Sequence, residues 1–179
     1  MDSRERIWYK IGGVKINIKI ERAAPEHVEA IAAICSRGWK QTVEGKLSDA
    51  YQKKNAAQWY NLEQVKSDIE KGSYTHIAVN DSEVAGVIGG AITEPGVSQI
   101  FVFYVDEKYR YQGIGRQLLE IFTEEHKKEG ARDQRVSVQD GNQRGIPFYE
   151  ARGFVLQEKQ KEMTDTREPF INLQYLRRI

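Results

Sequence analysis

The chain has 179 residues, 30% of them charged and 40% apolar, and a formal net charge of +1. That length predicts one domain over residues 1–179, with a core at about 14–177 that needs no disulfide or metal staple. The near-zero charge argues against nucleic acid or an anionic membrane as partner. The lone cysteine, Cys35, excludes an intrachain disulfide, and no apolar run approaches the ~20 residues that span a bilayer, so a cytoplasmic protein is expected.

Val14, Ile16, Ile18 and Ile20 alternate with polar residues, which predicts a strand. Residues 7–11 predict a strand before it, joined by a tight turn at Gly12-Gly13. Pro25 suits the first position of a helix whose buried stripe is Val28, Ile31, Ala32 and Cys35. The aromatic-rich stretch 39–60 predicts a helix whose ends the pattern does not place. Asn61 followed by Gln64 resembles a capping box, opening a helix with Leu62, Val65 and Ile69 on its apolar face and ending near Gly72.

Strands are then predicted over 74–79, 84–93 and 99–105. The turns at Asn80-Asp81-Ser82 and Pro95-Gly96 make them an antiparallel meander. Ile114, Leu118, Ile121 and Phe122 mark a helix stopped at Gly130. A strand over 135–138, a helix over 143–152 and a strand over 154–157 follow. A solvated charged loop edge at 158–162 and a final strand at 170–176 complete the chain. The expected class is mixed α/β: a meander first, then β-α-β-α-β.

Chemistry concentrates after the third meander strand, in Arg110-Tyr111-Gln112-Gly113-Ile114-Gly115-Arg116. A strand, a basic turn, two glycines and the start of a long helix form the ingredients of an anion cradle. Free N–H groups at a helix start converge, the helix dipole adds positive charge, and glycine admits a phosphate to the backbone. A dinucleotide fingerprint would need glycine where Leu118 stands. A Walker loop would need Lys-Ser/Thr where Arg116-Gln117 stand. Two glycines alone fit a plain tight turn equally well.

Two blocks together are more specific. Arg110 to Gly115 fits the Q/R-x-x-G-x-G/A pattern, after a strand containing Phe103-Tyr104-Val105. Some thirty residues on come Asn142, the pair Phe148-Tyr149 and Gly153-Phe154. The chain thereby resembles the GNAT superfamily of N-acetyltransferases, over most of its length. The resemblance implies a twisted mixed sheet of six to seven strands flanked by about four helices, with a V-shaped splay between two central parallel strands. It implies acetyl-CoA as co-substrate, while the lack of any ligand spacing among His27, His76, His126 and Cys35 indicates no metal site. The pantetheine arm would lie against the backbone of Phe103, Tyr104 and Val105. The pyrophosphate would lie on the N–H groups from Tyr111 through Gln112, Gly113, Ile114 and Gly115 to Arg116, with Arg110 adding charge. Asn142 would hydrogen-bond the cofactor arm.

The implied reaction is attack of a neutral primary amine, on a small molecule or peptide, on the thioester. A backbone N–H such as that of Val105 would stabilise the oxyanion, and Tyr149 would protonate the departing thiolate. The base position of some members falls on Gln99, which takes no proton. Glu94, just upstream, is the candidate base, directly or through a water, and the alternative is an amine of lowered pKa that arrives already deprotonated, with no dedicated base. Trp39 is the candidate acceptor contact, in a region with Tyr51, Trp59, Tyr60, Glu44, Asp49 and Glu63. Homodimerisation through the late strands is common in this fold. The competing expectations are a coenzyme A sensor that has lost transfer, which Gln99 favours, and an enzyme using a longer acyl-CoA. His27, His76 and His126 share no ligand spacing, and His126 is expected at the surface. Cys35 is expected in the core.

Overall fold

The computed structural model describes residues 6–11 and 14–179, with side chains from Asn17 onward. The Gly12-Gly13 turn and residues 1–5 lie outside the described residues. The strands are β1 (Arg6–Ile11), β2 (Val14–Arg22), β3 (His76–Asn80), β4 (Glu83–Glu94), β5 (Val97–Val105), β6 (Asp133–Gln139), β7 (Val155–Met163) and β8 (Pro169–Arg178). The helices are α1 (Val28–Val43), α2 (Asp49–Trp59), α3 (Leu62–Glu70), α4 (Ile114–Lys128) and α5 (Gly145–Glu150). The sheet order is β1-β2-β3-β4-β5-β6-β8-β7. Eight strands and five α-helices among the described residues agree in number with the elements read along the chain and exceed the six to seven strands and about four helices that the resemblance implies.

Two stretches differ in extent from the reading along the chain. The stretch 39–60 resolves into the end of α1 and a separate α2, whose start Ser48 caps by accepting from Tyr51 N. Gln52 is the one buried residue on α2, so no apolar stripe marked its ends. The charged stretch 158–162 is part of strand β7 rather than a loop. As an edge strand it is held by its ladder to β8 and is wet on both faces, so it carries no alternating signature.

Two cores cover the two faces of the sheet. Ile88, Ile100, Val136 and Val138 pack beneath α4 and α5 on Ile114, Leu118, Phe122 and Tyr149. Ile77 and Val87 pack on the other side against Ile31, Cys35, Val65 and Ile69 of α1 and α3. Cys35 is buried, as expected. Among the described residues no helix is long and apolar enough to cross a membrane.

The feature that positions the site is the β5–β6 pair, the one parallel pairing among the described residues. It runs only from Val97↔Asp133 to Ile100↔Val136. Beyond Ile100, β5 stays with β4 and β6 stays with β8, so the two strands part. The register shift at Gly89/Gly90, which leaves Phe101 unpaired, is a bulge that bends β5 at the point of divergence.

A buried polar network pins the closed end. Ser98 Oγ lies 2.6 Å from His126 Nδ1, and Thr123 Oγ1 donates to Gln134 Oε1 at 3.2 Å. Arg177 donates to Gln134 Oε1 and Thr123 Oγ1, both at 2.8 Å, and lies over the Phe154 ring. His126 is therefore buried rather than at the surface. Its partner Ser98 comes from another element, which the helix dipole argument could not supply.

Candidate active site

The parting strands open into a cavity of about 700 Å³ between α1, α2, the start of α4, and α5. Its floor is the free edge of β5. Asp106 N donates to Ala85 O at 2.9 Å, so the even-numbered residues here turn their main-chain groups toward β4. By alternation along the strand, Phe103 and Val105 turn theirs toward the gap, and Arg110 Nε donates to Val105 O at 3.2 Å from that side. Of the three residues expected to hold the pantetheine, Tyr104 is thus the exception. Its main chain belongs to β4, and its ring packs against α1 at Gly38.

The start of α4 forms one end wall. Gly113 precedes the helix at φ +80°, a left-handed conformation that glycine takes without strain, and no side chain caps it. The backbone N–H groups of Tyr111 to Gly115 meet no protein acceptor among the described residues. Gly115 lets α4 approach α5: a Cβ there would sit 3.2 Å from the Phe148 ring. Tyr111, at φ +63° and 92% exposed, lifts its ring clear of the cradle.

Unsatisfied polar atoms gather at the same place. Buried polar atoms without a hydrogen bond belong to five side chains among the described residues, Asn17, Gln52, Gln112, Gln117 and Arg152. The last three surround the α4 start. Such atoms cost stability unless a ligand or water satisfies them.

Guanidinium groups complete the wall. Arg110, Arg116, Arg144 and Arg152 all line the cavity. Burial and then the charge of Arg144 push the Arg110 pKa down, and burial and then Arg116 do the same to Arg152. Like charges held close favour an anion between them. Gln41 of α1 accepts from both Arg110 and Arg144, bridging the loops before α4 and α5. Arg144 and Arg152 went without a role in the sequence reading. Their signal was their place at either end of the Asn142–Gly153 block.

Asn142 lines the cavity, but its Oδ1 accepts from Arg144 N at 3.2 Å and Gly145 N at 2.8 Å, which starts α5. Its Nδ2 is the group left for a ligand. Tyr149 on α5 lines the cavity where the strands part, and burial alone pushes its phenol pKa up. It is firmly protonated at neutral pH.

Other expected residues lie elsewhere. Glu94 does not line the cavity: it ends β4 in an exposed ion pair with Arg135 at 2.9 Å. Gln99 also stays out, because it lies within the closed part of the gap, paired with Ala91 and Arg135. Ile114 is buried in the core and Gln112 lies beside the cavity, with Nε2 donating to Lys108 O. Trp39 does line the cavity, its ring 6.2 Å from that of Tyr51. Tyr60 packs against the α1–α3 core instead, and Trp59 reaches a neighbouring groove. Asn55, Ser137, Gln139, Phe170 and Asn172 also line the cavity. They come from α2, β6 and β8, and no local motif joins them.

Comparison with known proteins agrees with this geometry. The sequence model described as the acetyltransferase (GNAT) family matches residues 36–154. Spermidine N(1)-acetyltransferase of Thermoplasma acidophilum is 25% identical over 149 residues, covering 80% of this chain and 91% of that protein. The crystal structure of PaiA N-acetyltransferase from Thermoplasma acidophilum, in complex with coenzyme A, superposes with a TM-score of 0.74 at 24% identity. The match covers 90% of this chain and 99% of that one. A GCN5-related N-acetyltransferase from Rhodopseudomonas palustris gives 0.72 at 18% identity, covering 89% and 94%. The chain belongs to the GNAT acetyltransferase family and is an N-acetyltransferase.

Proposed function

We propose that the protein transfers the acetyl group of acetyl-CoA directly to a primary amine of a small molecule or peptide. The observation that carries this reading is the row of uncapped amides at the α4 start, beside the gap between β5 and β6. The fit to coenzyme A rests on those amides, the four arginines and the unsatisfied atoms of Gln112, Gln117 and Arg152. Acetyl-CoA supplies the acetyl group already activated as a thioester.

The chain's own residues then have three tasks. The amides of Tyr111 to Gly115, with Arg110 and Arg144, hold the phosphates. The free main-chain edge of Phe103 and Val105, together with Asn142 Nδ2, aligns the pantetheine amides. The Val105 N–H faces the gap and serves as donor to the developing oxyanion. The Tyr149 hydroxyl donates a proton to the departing sulfur, a contribution of about 10²–10⁴-fold. The relative that acts on spermidine supports an amine as acceptor.

The cavity wall carries no carboxylate or histidine among the described residues, which favours a second reading, a coenzyme A sensor without transfer. Two measurements separate them. Millimolar acetyl-CoA raises the melting temperature under both readings, and no shift sinks both. Release of free thiol with a primary amine occurs only under transfer, and binding without release establishes the sensor.

A further inference from the structure

The titratable side chains on the cavity wall are all arginines or tyrosines among the described residues. The arginines line the cradle end, and Tyr51 stands at the acceptor end. Glu94, the one carboxylate the sequence suggested as base, is held by Arg135 outside the cavity. An attacking amine therefore has to lose its proton without a side-chain base. This requirement selects by chemistry. An α-amine has a pKa of about 7.7–8.0, so about one in three is neutral at pH 7.5. An alkylamine like that of lysine, pKa about 10.4, is neutral only on the order of once in a thousand. A polyamine would also carry further charges along a cavity wall that holds no carboxylate among the described residues, and the carboxylate beyond Tyr51, Asp165, is already paired with Lys54.

The acceptor end is not closed. Tyr51, Asn55 and Phe170 line the cavity and also a second groove of about 210 Å³ on the surface of α2 and the β7–β8 connection. Trp59 and Met163 give that groove an apolar wall, both largely exposed, and Lys54 and Asp165 form an ion pair across it. A molecule reacting in the cavity can thus extend outward past Tyr51 onto a surface with apolar contact and one charge of each sign. A single amino acid or a compact amine would leave this groove unused.

Resting on the acetyl-transfer reading, we infer that the acceptor is the N-terminal α-amine of an extended peptide, with its following residues in the Trp59–Met163 groove. In the step, the α-amine lone pair forms the C–N bond and moves the carbonyl pair onto oxygen, and collapse of that oxyanion restores C=O and breaks the C–S bond. Sulfur takes the Tyr149 proton, and the proton lost by nitrogen restores the phenol, so amine plus thioester give amide plus free thiol.

The test measures thiol release from the full-length protein with acetyl-CoA at pH 7.5. The acceptors are a tetrapeptide with a free N-terminus, the matching amino-acid amide, an N-blocked lysine tetrapeptide and spermidine. The free tetrapeptide is expected to exceed the lysine peptide and spermidine by at least about 100-fold in kcat/KM, the scale of the neutral fractions. Its kcat/KM is expected to rise tenfold per pH unit and level off near pH 8. Trp59→Ala, at a half-exposed side chain, is expected to raise KM for the tetrapeptide and leave the amino-acid amide unchanged. Spermidine or the lysine peptide equalling the free tetrapeptide overturns the inference and leaves acetyl transfer standing. Equal effects of Trp59→Ala on the two α-amine acceptors overturn the groove's part. No release from any acceptor, with acetyl-CoA still raising the melting temperature, overturns the acetyl-transfer reading and this inference with it, and leaves the sensor.

Discussion

The two ends of the β5–β6 pair treat polar groups in opposite ways. At the closed end, Ser98, His126, Thr123, Gln134 and Arg177 satisfy one another inside the protein. At the open end, the amides of Tyr111 to Gly115 and side-chain atoms of Gln112, Gln117 and Arg152 go without partners among the described residues. The chain can satisfy buried polar groups where it needs rigidity. Where a row of donors stands vacant beside four arginines, an anion is the ligand whose charge and acceptors those groups fit. The closed end fixes the angle at which the strands part, and the open end uses it.

The sharpest way to break that contrast is to let the protein satisfy its own cradle. Aspartate tolerates the left-handed conformation of Gly113 better than most residues and is a good helix cap. Gly113→Asp should therefore fold with nearly the wild-type melting temperature and lose the thermal shift with acetyl-CoA altogether. A retained shift would separate the cradle from coenzyme binding. Next in size is Tyr149→Phe. Removing only the hydroxyl should lower kcat by about 10²–10⁴-fold with acetyl-CoA KM nearly unchanged, read by steady-state thiol release. An unchanged kcat would take Tyr149 out of the chemistry.

The closed end predicts the reverse pattern. Arg177→Ala removes bonds to Gln134, Thr123 and the Arg152 carbonyl and the contact with Phe154. It should cost about 2–3 kcal/mol in denaturant unfolding while sparing the acetyl-CoA KM. Replacing Arg144, whose side chain among the described residues bonds Gln41 alone, by alanine (Arg144→Ala) should raise the acetyl-CoA KM about tenfold, near 1.4 kcal/mol, with stability unchanged. If Arg177→Ala raised KM more than Arg144→Ala, the division between the two ends would fail.

The parts legible in the sequence were local ones. Strand, basic turn, glycines and amphipathic helix follow each other between Phe103 and Phe122, so spacing set out these elements, and the resemblance carried by the two blocks singled out the turn as a cradle. The meander of β3, β4 and β5 was legible because its turns are short. What stayed hidden depended on distant partners. Sequence distance from Arg110 pointed to Gln99 and Glu94 for the base, yet both lie toward the closed end of the strands, a matter of where β5 and β6 separate. Asn55, Phe170 and Asn172 meet on the cavity wall from separate elements, and β7 carries no pattern because water covers it.

The smallest expected effect also tests the closed end, through pH. His126 packs against Phe122 at 4.1 Å and against Ser98, with Glu125, Glu129 and Arg22 as its charged neighbours. Burial lowers its pKa, Arg22 adds to this, and the two glutamates only partly oppose it. His76, beside Glu125, is lowered by burial in the same direction. A histidine whose folded pKa lies below the unfolded value of about 6.5 binds its proton more readily when unfolded. Its contribution to stability is complete above that value and is lost as pH falls through the folded pKa. Denaturant unfolding should therefore show stability declining below about pH 6.5, before most carboxylates titrate. His126→Gln, which cannot take the proton, should flatten part of that decline and leave the His76 part in place. Identical slopes for the two proteins would mean that His126 is free to charge in the folded state, and that the closed end is not sealed as its hydrogen bonds imply.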